Sequence, residues 1–499
     1  MDIINSLITW RLKKRFHQIE LFMKYPINVQ NDWLKSMLYD ARDTEWGKRY
    51  DFRSISTPEA YKERIPLQDY ESIKGDILRT KNGKKNILWP SEIRWFAKSS
   101  GTTADRSKFI PVSIECLKEC HYKGGKDMLS LYCNQVEKTH VFTGKTIMMG
   151  GSSQMNNMGK GSQYGDLSAI LIDNLPFWVD RYRAPGKEIV LMDNWEEKIE
   201  KMAEGVMNEN ITSLTGVPSW TLVLFNKVLE KKGAKDLREV WPNLELFMHG
   251  GVRFDPYRSQ LEKIAPGINY LETYNASEGY FGIQYEQNVS DFLLMLDYGI
   301  YYEFIPMSKF DVEQPQTLSL EEVEVGVNYA LVITTNSGLW RYVIGDTIEF
   351  TSLSPFRIRI TGRTRHFINA FGEELIIDNA EVALKKACEV SGAIIQEYTA
   401  APQYLEDGKA GAHEWLIEFQ KEPDSLELFS LALDNTLKSL NSDYEAKRSS
   451  DLILKKPIVK TVTKGLFYRW LKNKNKLGGQ HKVPRLCNHR KYLEELEML

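Results

Sequence analysis

Apolar and polar positions follow two different periods along this 499-residue chain, and the changes of period divide it. Up to about residue 75, Trp10, Phe16, Leu21, Phe22 and Trp33 are spread among many Lys, Arg, Asp and Glu residues, which predicts helices that each bury one face. From 140 to 265, short apolar runs alternate with helical stretches: Thr146 to Met149; Asn210 to Leu214, leading through Gly216-Val217-Pro218 into a helix; and Leu244 to Met248, leading through Gly250-Gly251 into another. That alternation predicts a sheet with crossover helices. Between 294 and 360 the pattern changes to strands joined by short turns, among them Tyr329 to Thr334 and Leu339 to Phe350, which predicts an antiparallel β subdomain. Beyond Gly362-Arg363, helical runs at 378–391, 424–445 and 465–475 and strands at 393–399, 413–420 and 453–463 predict a small α+β unit. The expected fold class is therefore α/β, with a large N-terminal domain over 1–364 made of α/β layers plus the antiparallel subdomain, and a small C-terminal domain over 365–499.

Composition narrows the function without naming it. A net charge of −2, with 26% charged and 42% hydrophobic residues, gives no bulk attraction to nucleic acid or to a membrane surface. The five cysteines include no C-x-x-C pair and form an odd set without a secretory signal, so a reducing cytoplasm is the expected setting. Near the N-terminus the apolar residues Ile3, Ile4, Leu7, Ile8 and Trp10 are soon followed by Lys13-Lys14-Arg15 and read as an amphipathic helix packed on the body. No run approaches the ~20 apolar residues of a membrane span. The eight histidines show no metal spacing, and neither H-E-x-x-H nor G-x-S-x-G occurs.

The residues that change the picture are 98–109, Lys-Ser-Ser-Gly-Thr-Thr-Ala-Asp-Arg-Ser-Lys-Phe. Ser99, Ser100, Gly101, Thr102 and Thr103 would offer backbone N–H groups and hydroxyls to an anion, with Arg106 and Lys108 near enough to share its charge. The stretch has no G-x-x-x-x-G-K-[ST], and the strand-like runs Ile93 to Ala97 and Phe109 to Val112 flank it where a Walker loop needs a helix. The pattern predicts a β-loop-β phosphate grip. Two further polar turns follow apolar runs: Tyr274-Asn275-Ala276-Ser277-Glu278-Gly279, and Trp340-Arg341-Tyr342-Val343-Ile344-Gly345-Asp346. Alone, each is a common surface turn; in this order and company they can converge on one ligand.

Taken together, these motifs resemble the adenylate-forming superfamily of acyl-CoA synthetases and luciferases, and Thr361-Gly362-Arg363 with Phe367-Ile368 and Gly372-Glu373 resembles its hinge. Arg365 stands where relatives often carry Asp, so the hinge departs from that pattern. Within the superfamily, Ser99 to Pro111 and the C-terminal Gln480-His481-Lys482-Val483-Pro484-Arg485 are most similar to the Gretchen Hagen auxin-responsive family of acyl acid-amido synthetases. Four ordered motifs span about four fifths of the chain. The resemblance implies a large adenylate-forming domain with a small mobile C-terminal lid, and an ATP- and Mg²⁺-dependent ligase that joins a small carboxylic acid to an amine, an amino acid, through acyl-AMP.

The same resemblance implies site roles. Ser99 to Thr103 with Lys108 would hold the β- and γ-phosphates, Glu278 the Mg²⁺, and Asp346 the ribose hydroxyls. Tyr274 would stack on adenine or close its pocket, Gly250 and Gly251 would let the backbone approach the base, and Ser277 and Arg363 complete the nucleotide set. Arg341 is open to either a phosphate or a local carboxylate, and His249 to either the ligand or the core. Between Asp451 and Glu494 twelve Lys or Arg residues occur with no acidic one. That run reads as a nucleic-acid-binding face, a solvated helix face, or a lid whose Lys482 is the catalytic cation, with Lys464 and Lys476 as rivals; the lid is preferred, and no nucleic-acid or membrane partner is expected. A monomer is expected. The competing functions are a ligase with coenzyme A as acceptor and a catalytically silent nucleotide-binding protein.

Overall fold

The computed structural model describes residues 3–99, 108–149, 155–157, 161–176, 179–192, 194–251, 254–286, 289–310, 312, 314–364, 367–368, 375–404, 411–441, 444–445, 448, 454–474, 483–487 and 489–499. The chain forms two compact units, the first holding residues up to 344 together with 349–359, the second 345–348 and the described C-terminal residues from 360. An early layer of helices, including Ile3–Lys24, Pro26–Ala41 and Tyr70–Lys81, precedes the first strands, as the opening pattern predicts.

Strands β1 (Trp95–Ser99) and β2 (Lys108–Val112) pair antiparallel, with Ser99 opposite Lys108, so the hydroxyl-rich stretch is the connection of a β-hairpin. They share a small sheet with β4 (Asn156–Asn157) and β5 (Gln163–Gly165), in the order β2-β1-β5-β4. The main sheet has eleven strands. Its parallel part comprises β3 (Lys145–Met148), β6 (Arg183–Ala184), β7 (Ile211–Gly216), β8 (Leu246–Gly250) and β9 (Asn269–Ala276). Its other part comprises β10 (Gly279–Gln284), β11 (Phe292–Leu294), β12 (Ile300–Pro306), β13 (Asn328–Thr335), β14 (Tyr342–Leu353) and β15 (Phe356–Arg363).

Across the sheet the order is β12-β13-β14-β15-β11-β10-β9-β8-β7-β3-β6. The antiparallel strands expected between 294 and 360 are thus present but continue the same sheet rather than making one of their own. Strand β9 is the junction, parallel to β8 on one side and antiparallel to β10 on the other. Crossover helices Pro218–Lys232 and Asp255–Ile264 leave directly after β7 and β8. Bulky residues fill the core: Trp46, Trp241, Trp340, Tyr61, Tyr298, Tyr302 and Tyr329 lie almost wholly out of solvent.

In the second unit, β18 (Ile394–Tyr404), β19 (Gly411–Lys421) and β20 (Ile458–Val462) form a three-stranded sheet, and the short pair β16 (Phe367–Ile368) and β17 (Leu375–Ile376) precedes it. Helix Ile377–Ser391 ends at Gly392, whose φ of +69° is the left-handed stop that glycine adopts without strain. That helix and Leu426–Leu440 bury Ala383, Leu384, Phe429 and Leu433 against Trp415 and Ile417 of the sheet. A separate cluster packs Phe467, Trp470, Leu493 and Leu496 with Leu416 and Ala401, so helices Leu466–Asn473 and Lys491–Glu497 cover alternate residues of the same strands.

Candidate active site

The parallel register brings the C-terminal ends of β7, β8 and β9 to one edge: Gly216 stands opposite His249, and Gly250 opposite Thr273. Ligands of α/β sheets gather at such edges, where strand ends and helix starts leave a crevice. Here that edge carries Gly250-Gly251 and, at the end of β9, the two-residue turn Ser277-Glu278 that leads into β10. Tyr274 lies within β9 rather than in the turn predicted for it. Its ring is 5% exposed and packs on Phe281 at 4.9 Å and Phe292 at 6.3 Å, which makes it a wall of the sheet. Ser277 is buried, and its hydroxyl has no hydrogen-bond partner among the described residues. A buried hydroxyl left so costs about 1–3 kcal/mol unless a ligand answers it.

Glu278 is half-buried and close enough to Tyr342 for its charge, after burial itself, to help hold that phenol well above its usual range; Tyr70 and Asp69 act on Tyr342 in the same way. The Tyr342 hydroxyl is buried without a partner among the described residues. Tyr70 also touches the β1–β2 hairpin, since its hydroxyl accepts the Phe109 N–H at 2.9 Å and the Lys108 amine sits 5.7 Å from its ring. A strap fixes the arrangement: Gln68 N–H donates to Arg341 O at 2.9 Å, and Val343 N–H to Gln68 O at 2.8 Å. Glu278 and Tyr70, whose ring is 5.7 Å from the Lys108 amine, thus both lie within electrostatic reach of Tyr342. Ser100, Gly101, Thr102, Thr103 and Lys482 lie outside the described residues, as does the side chain of Ser99.

Asp346 is on β14, not in a turn, and is 8% exposed. It pairs with Arg363 Nε at 3.0 Å within the second unit, where Thr361 and Thr347 hydroxyls hydrogen-bond at 2.9 Å and Thr364 N–H donates to Gly345 O at 2.8 Å. Two of the predicted nucleotide residues are thereby neighbours. Gly250 has a structural reason to lack a side chain, because a Cβ would lie 2.5 Å from Thr273 O. Gly251 has φ +80°. His249 is a packed residue, stacked on Phe254 at 4.0 Å, with burial pushing its pKa down to about 3 so that it stays neutral near pH 7.

The structure decides the two readings of Arg341 in favour of the carboxylate. Its guanidinium binds Glu303 at 2.9 Å, the carbonyls of Lys62 and Ile65 at 2.6 Å each, and Thr317 Oγ1 at 2.9 Å; its side chain is 7% and that of Glu303 1% exposed. Arg341→Met should therefore lower stability by about 3–5 kcal/mol, because it strands a buried charge. Urea unfolding followed by tryptophan fluorescence measures this; a loss under about 1 kcal/mol, the scale of an exposed pair, would contradict the arrangement.

One buried cation beside the β1–β2 hairpin was not apparent from the motifs. Lys81 ends helix Tyr70–Lys81, is 9% exposed, and holds its amine 3.1 Å from the Phe109 ring and 5.6 Å from that of Tyr164. No carboxylate pairs with it among the described residues, and burial lowers its pKa. Its signal was the apolar stripe Tyr70, Ile73, Ile77, Lys81, which puts a lysine on the buried face of a helix covering β2.

Part of the basic C-terminal run is neutralised among the described residues. Lys460 pairs with Glu414 and Glu497 at 2.6 Å each, Lys474 with Glu495 at 2.8 Å, Arg490 with Glu414 at 3.0 Å, and Arg485 with Glu397. Chain folding supplies the acids that the local sequence lacks. Just past Lys482, the Pro484 carbonyl accepts Thr399 Oγ1 at 2.6 Å and the Arg485 carbonyl accepts Ala400 N–H at 2.8 Å, so residues 484–486 are fastened along β18.

Comparison with known proteins decides the family. Family models for the GH3 N-terminal, central and C-terminal domains match residues 15–270, 293–363 and 378–491. This chain belongs to the GH3 family. It is 23% identical to indole-3-acetic acid-amido synthetase GH3.3 of Arabidopsis thaliana, over 94% of this chain and 91% of that one. It is 22% identical to the 4-substituted benzoates-glutamate ligase GH3.12 of the same plant, over 94% of each. Among solved structures, GH3.15 acyl acid amido synthetase superposes with a TM-score of 0.81 at 17% identity, covering 97% of this chain and 96% of that chain. A 2-hydroxyisobutyryl-CoA ligase in complex with its acyl-AMP superposes at 0.58 with 12% identity, covering 94% and 90%, so the GH3 chain has the fold of adenylate-forming ligases.

Proposed function

We propose that this GH3 protein is an ATP- and Mg²⁺-dependent acyl acid-amido synthetase that adenylates a small carboxylic acid and transfers the acyl group to an amino acid. The observation that carries the reading is that Tyr342 lies within electrostatic reach both of the half-buried Glu278 and of Tyr70, whose hydroxyl holds the start of β2 at the end of the hairpin. The unanswered hydroxyls of Ser277 and Tyr342 fit a site completed by a hydrated ligand.

In the first half-reaction a carboxylate oxygen attacks the α-phosphorus of ATP and pyrophosphate leaves, so charge grows on oxygens already anionic. Residues 99–103 and Lys108 would hold the β- and γ-phosphates, with the buried amine of Lys81 adding positive potential at the base of the hairpin. Glu278 would hold Mg²⁺, which usually takes one or two carboxylates together with substrate phosphates and would neutralise charge on the leaving group. Asp346, held by Arg363, would accept the ribose hydroxyls. Lys482 would face the α-phosphate. In the second half-reaction the amine attacks the acyl carbonyl, AMP departs, and the amine loses a proton.

We read residues 1–364 as the adenylate-forming domain and 365–499 as its lid, and the protein as a cytoplasmic monomer, a setting that fits five free cysteines. A hydroxylamine-trapping screen of carboxylic acids with ATP and Mg²⁺ tests the activity, because hydroxylamine captures acyl-AMP whatever the natural acceptor. Hydroxamate should form with at least one acid and only with ATP; none across aromatic, indolic and aliphatic acids would defeat the proposal. Mass spectrometry of products with amino acids or coenzyme A in competition then separates amide from thioester formation.

A further inference from the structure

Cys116, Cys120 and His121 form a buried cluster that the ligase chemistry leaves unused. They are 2%, 0% and 3% exposed, and their candidate ligand atoms all lie within 4.8 Å of one another. The backbone explains how three residues at positions i, i+4 and i+5 meet. On an α-helix, at 3.6 residues per turn, the fifth residue along points about 140° away from the first. Leu117–Tyr122 is instead a π-helical turn, whose wider i→i+5 repeat brings His121 back over Cys116 beside Cys120. Such turns in otherwise α-helical segments cluster at functional sites.

Two observations indicate that something answers these groups. Both ring nitrogens of His121 are buried with no hydrogen-bond partner among the described residues. Cys120 Sγ accepts the Tyr280 N–H at 3.2 Å, the outer contact that steadies a metal-bound sulfur.

We propose that Cys116, Cys120 and His121 bind a single zinc ion, taken up as the chain folds. Binding releases both thiol protons, and two thiolates, a neutral imidazole and Zn²⁺ sum to zero charge, the only balance that burial accepts cheaply. A monovalent copper ion with the same ligands would leave a net negative charge in the interior. Thiolate and imidazole together select a borderline-soft cation over Mg²⁺, so this site is chemically separate from the one at Glu278. Three protein ligands leave one tetrahedral position open to a further donor. The metal would fasten the helical segment 114–135 to the start of β10, two residues beyond Glu278, and so hold the Ser277-Glu278 turn. That consequence rests on the ligase reading; zinc binding does not.

The test is the zinc content of the full chain purified by gel filtration after expression in zinc-supplemented medium, with a second sample refolded in the presence of zinc. About one zinc per chain is expected in both, because buried sites load with folding. Cys120→Ser and His121→Gln should each lower the content at least about tenfold, the scale at which losing a ligand exceeds losing an outer contact. Cys388→Ser and Cys487→Ser should leave it unchanged. Refolding wild-type chain with cobalt(II) should give thiolate-to-cobalt charge-transfer absorption that Cys120→Ser abolishes. Less than about 0.1 zinc per wild-type chain in both preparations, or equal retention by Cys120→Ser and His121→Gln, would overturn the site.

Discussion

Lys482→Ala is expected to slow acyl-adenylate formation by about 10²-fold or more while ATP binding stays nearly intact, the signature of a group that acts on charge appearing only in the transition state. The position suits that role. Val483-Pro484 disfavours helix, and the chain is fastened to β18 from Pro484, two positions after Lys482 in the sequence. Lys464, exposed in the same basic run, is the control: Lys464→Ala removes a screened surface charge and should cost far less. Single-turnover adenylation at two salt concentrations distinguishes the cases. Equal, salt-sensitive losses in both variants would mean a diffuse field, and the specific role of Lys482 would be lost.

Glu278→Gln should leave the fold intact and reduce adenylation by about 10²-fold or more. The amide is a poor Mg²⁺ ligand, metal stabilisation of transferred phosphoryl groups is worth several kcal/mol, and each ~1.4 kcal/mol is tenfold in rate. If Glu278 acts through Mg²⁺, as proposed, raising the Mg²⁺ concentration should recover part of the loss, which it would not do for Lys482→Ala. Wild-type rates across the Mg²⁺ titration would remove Glu278 from the site. The substitution also takes away a charge that helps hold the Tyr342 phenol protonated, so the Tyr342 pKa should fall in this variant, although burial keeps it above the usual range.

Sequence patterns captured whatever depends on neighbouring residues. The β1–β2 hairpin around 100–107, the strand-to-helix steps at Gly216-Val217-Pro218 and Gly250-Gly251, and the helices and strands of the C-terminal unit follow local periodicity and turn chemistry. Tyr274 and Asp346 were placed in turns but lie in strands, because ladder pairing extends β9 and β14 through polar residues that look turn-like in isolation. Three features depend on residues distant in sequence. The buried partner of Arg341 is Glu303, 38 positions earlier; the acids that neutralise Lys460 and Arg490 come from β19 and the last helix; and Lys81 meets Phe109 only once its helix covers β2. The cluster of Cys116, Cys120 and His121 escaped detection because its spacing matches no α-helical face and converges only on a π turn.

Acyl-AMP formation is the central claim, and oxygen-18 tests it most directly. A carboxylic acid identified by hydroxylamine trapping would be labelled with oxygen-18 in its carboxylate, incubated with ATP, Mg²⁺, the protein and the amine acceptor, and the nucleotide and phosphate products analysed by mass spectrometry. If the carboxylate attacks the α-phosphorus, one labelled oxygen appears in AMP, pyrophosphate is unlabelled, and Lys482→Ala slows the labelling. Label in inorganic phosphate with ADP as the nucleotide product would mean attack at the γ-phosphorus and would contradict the account.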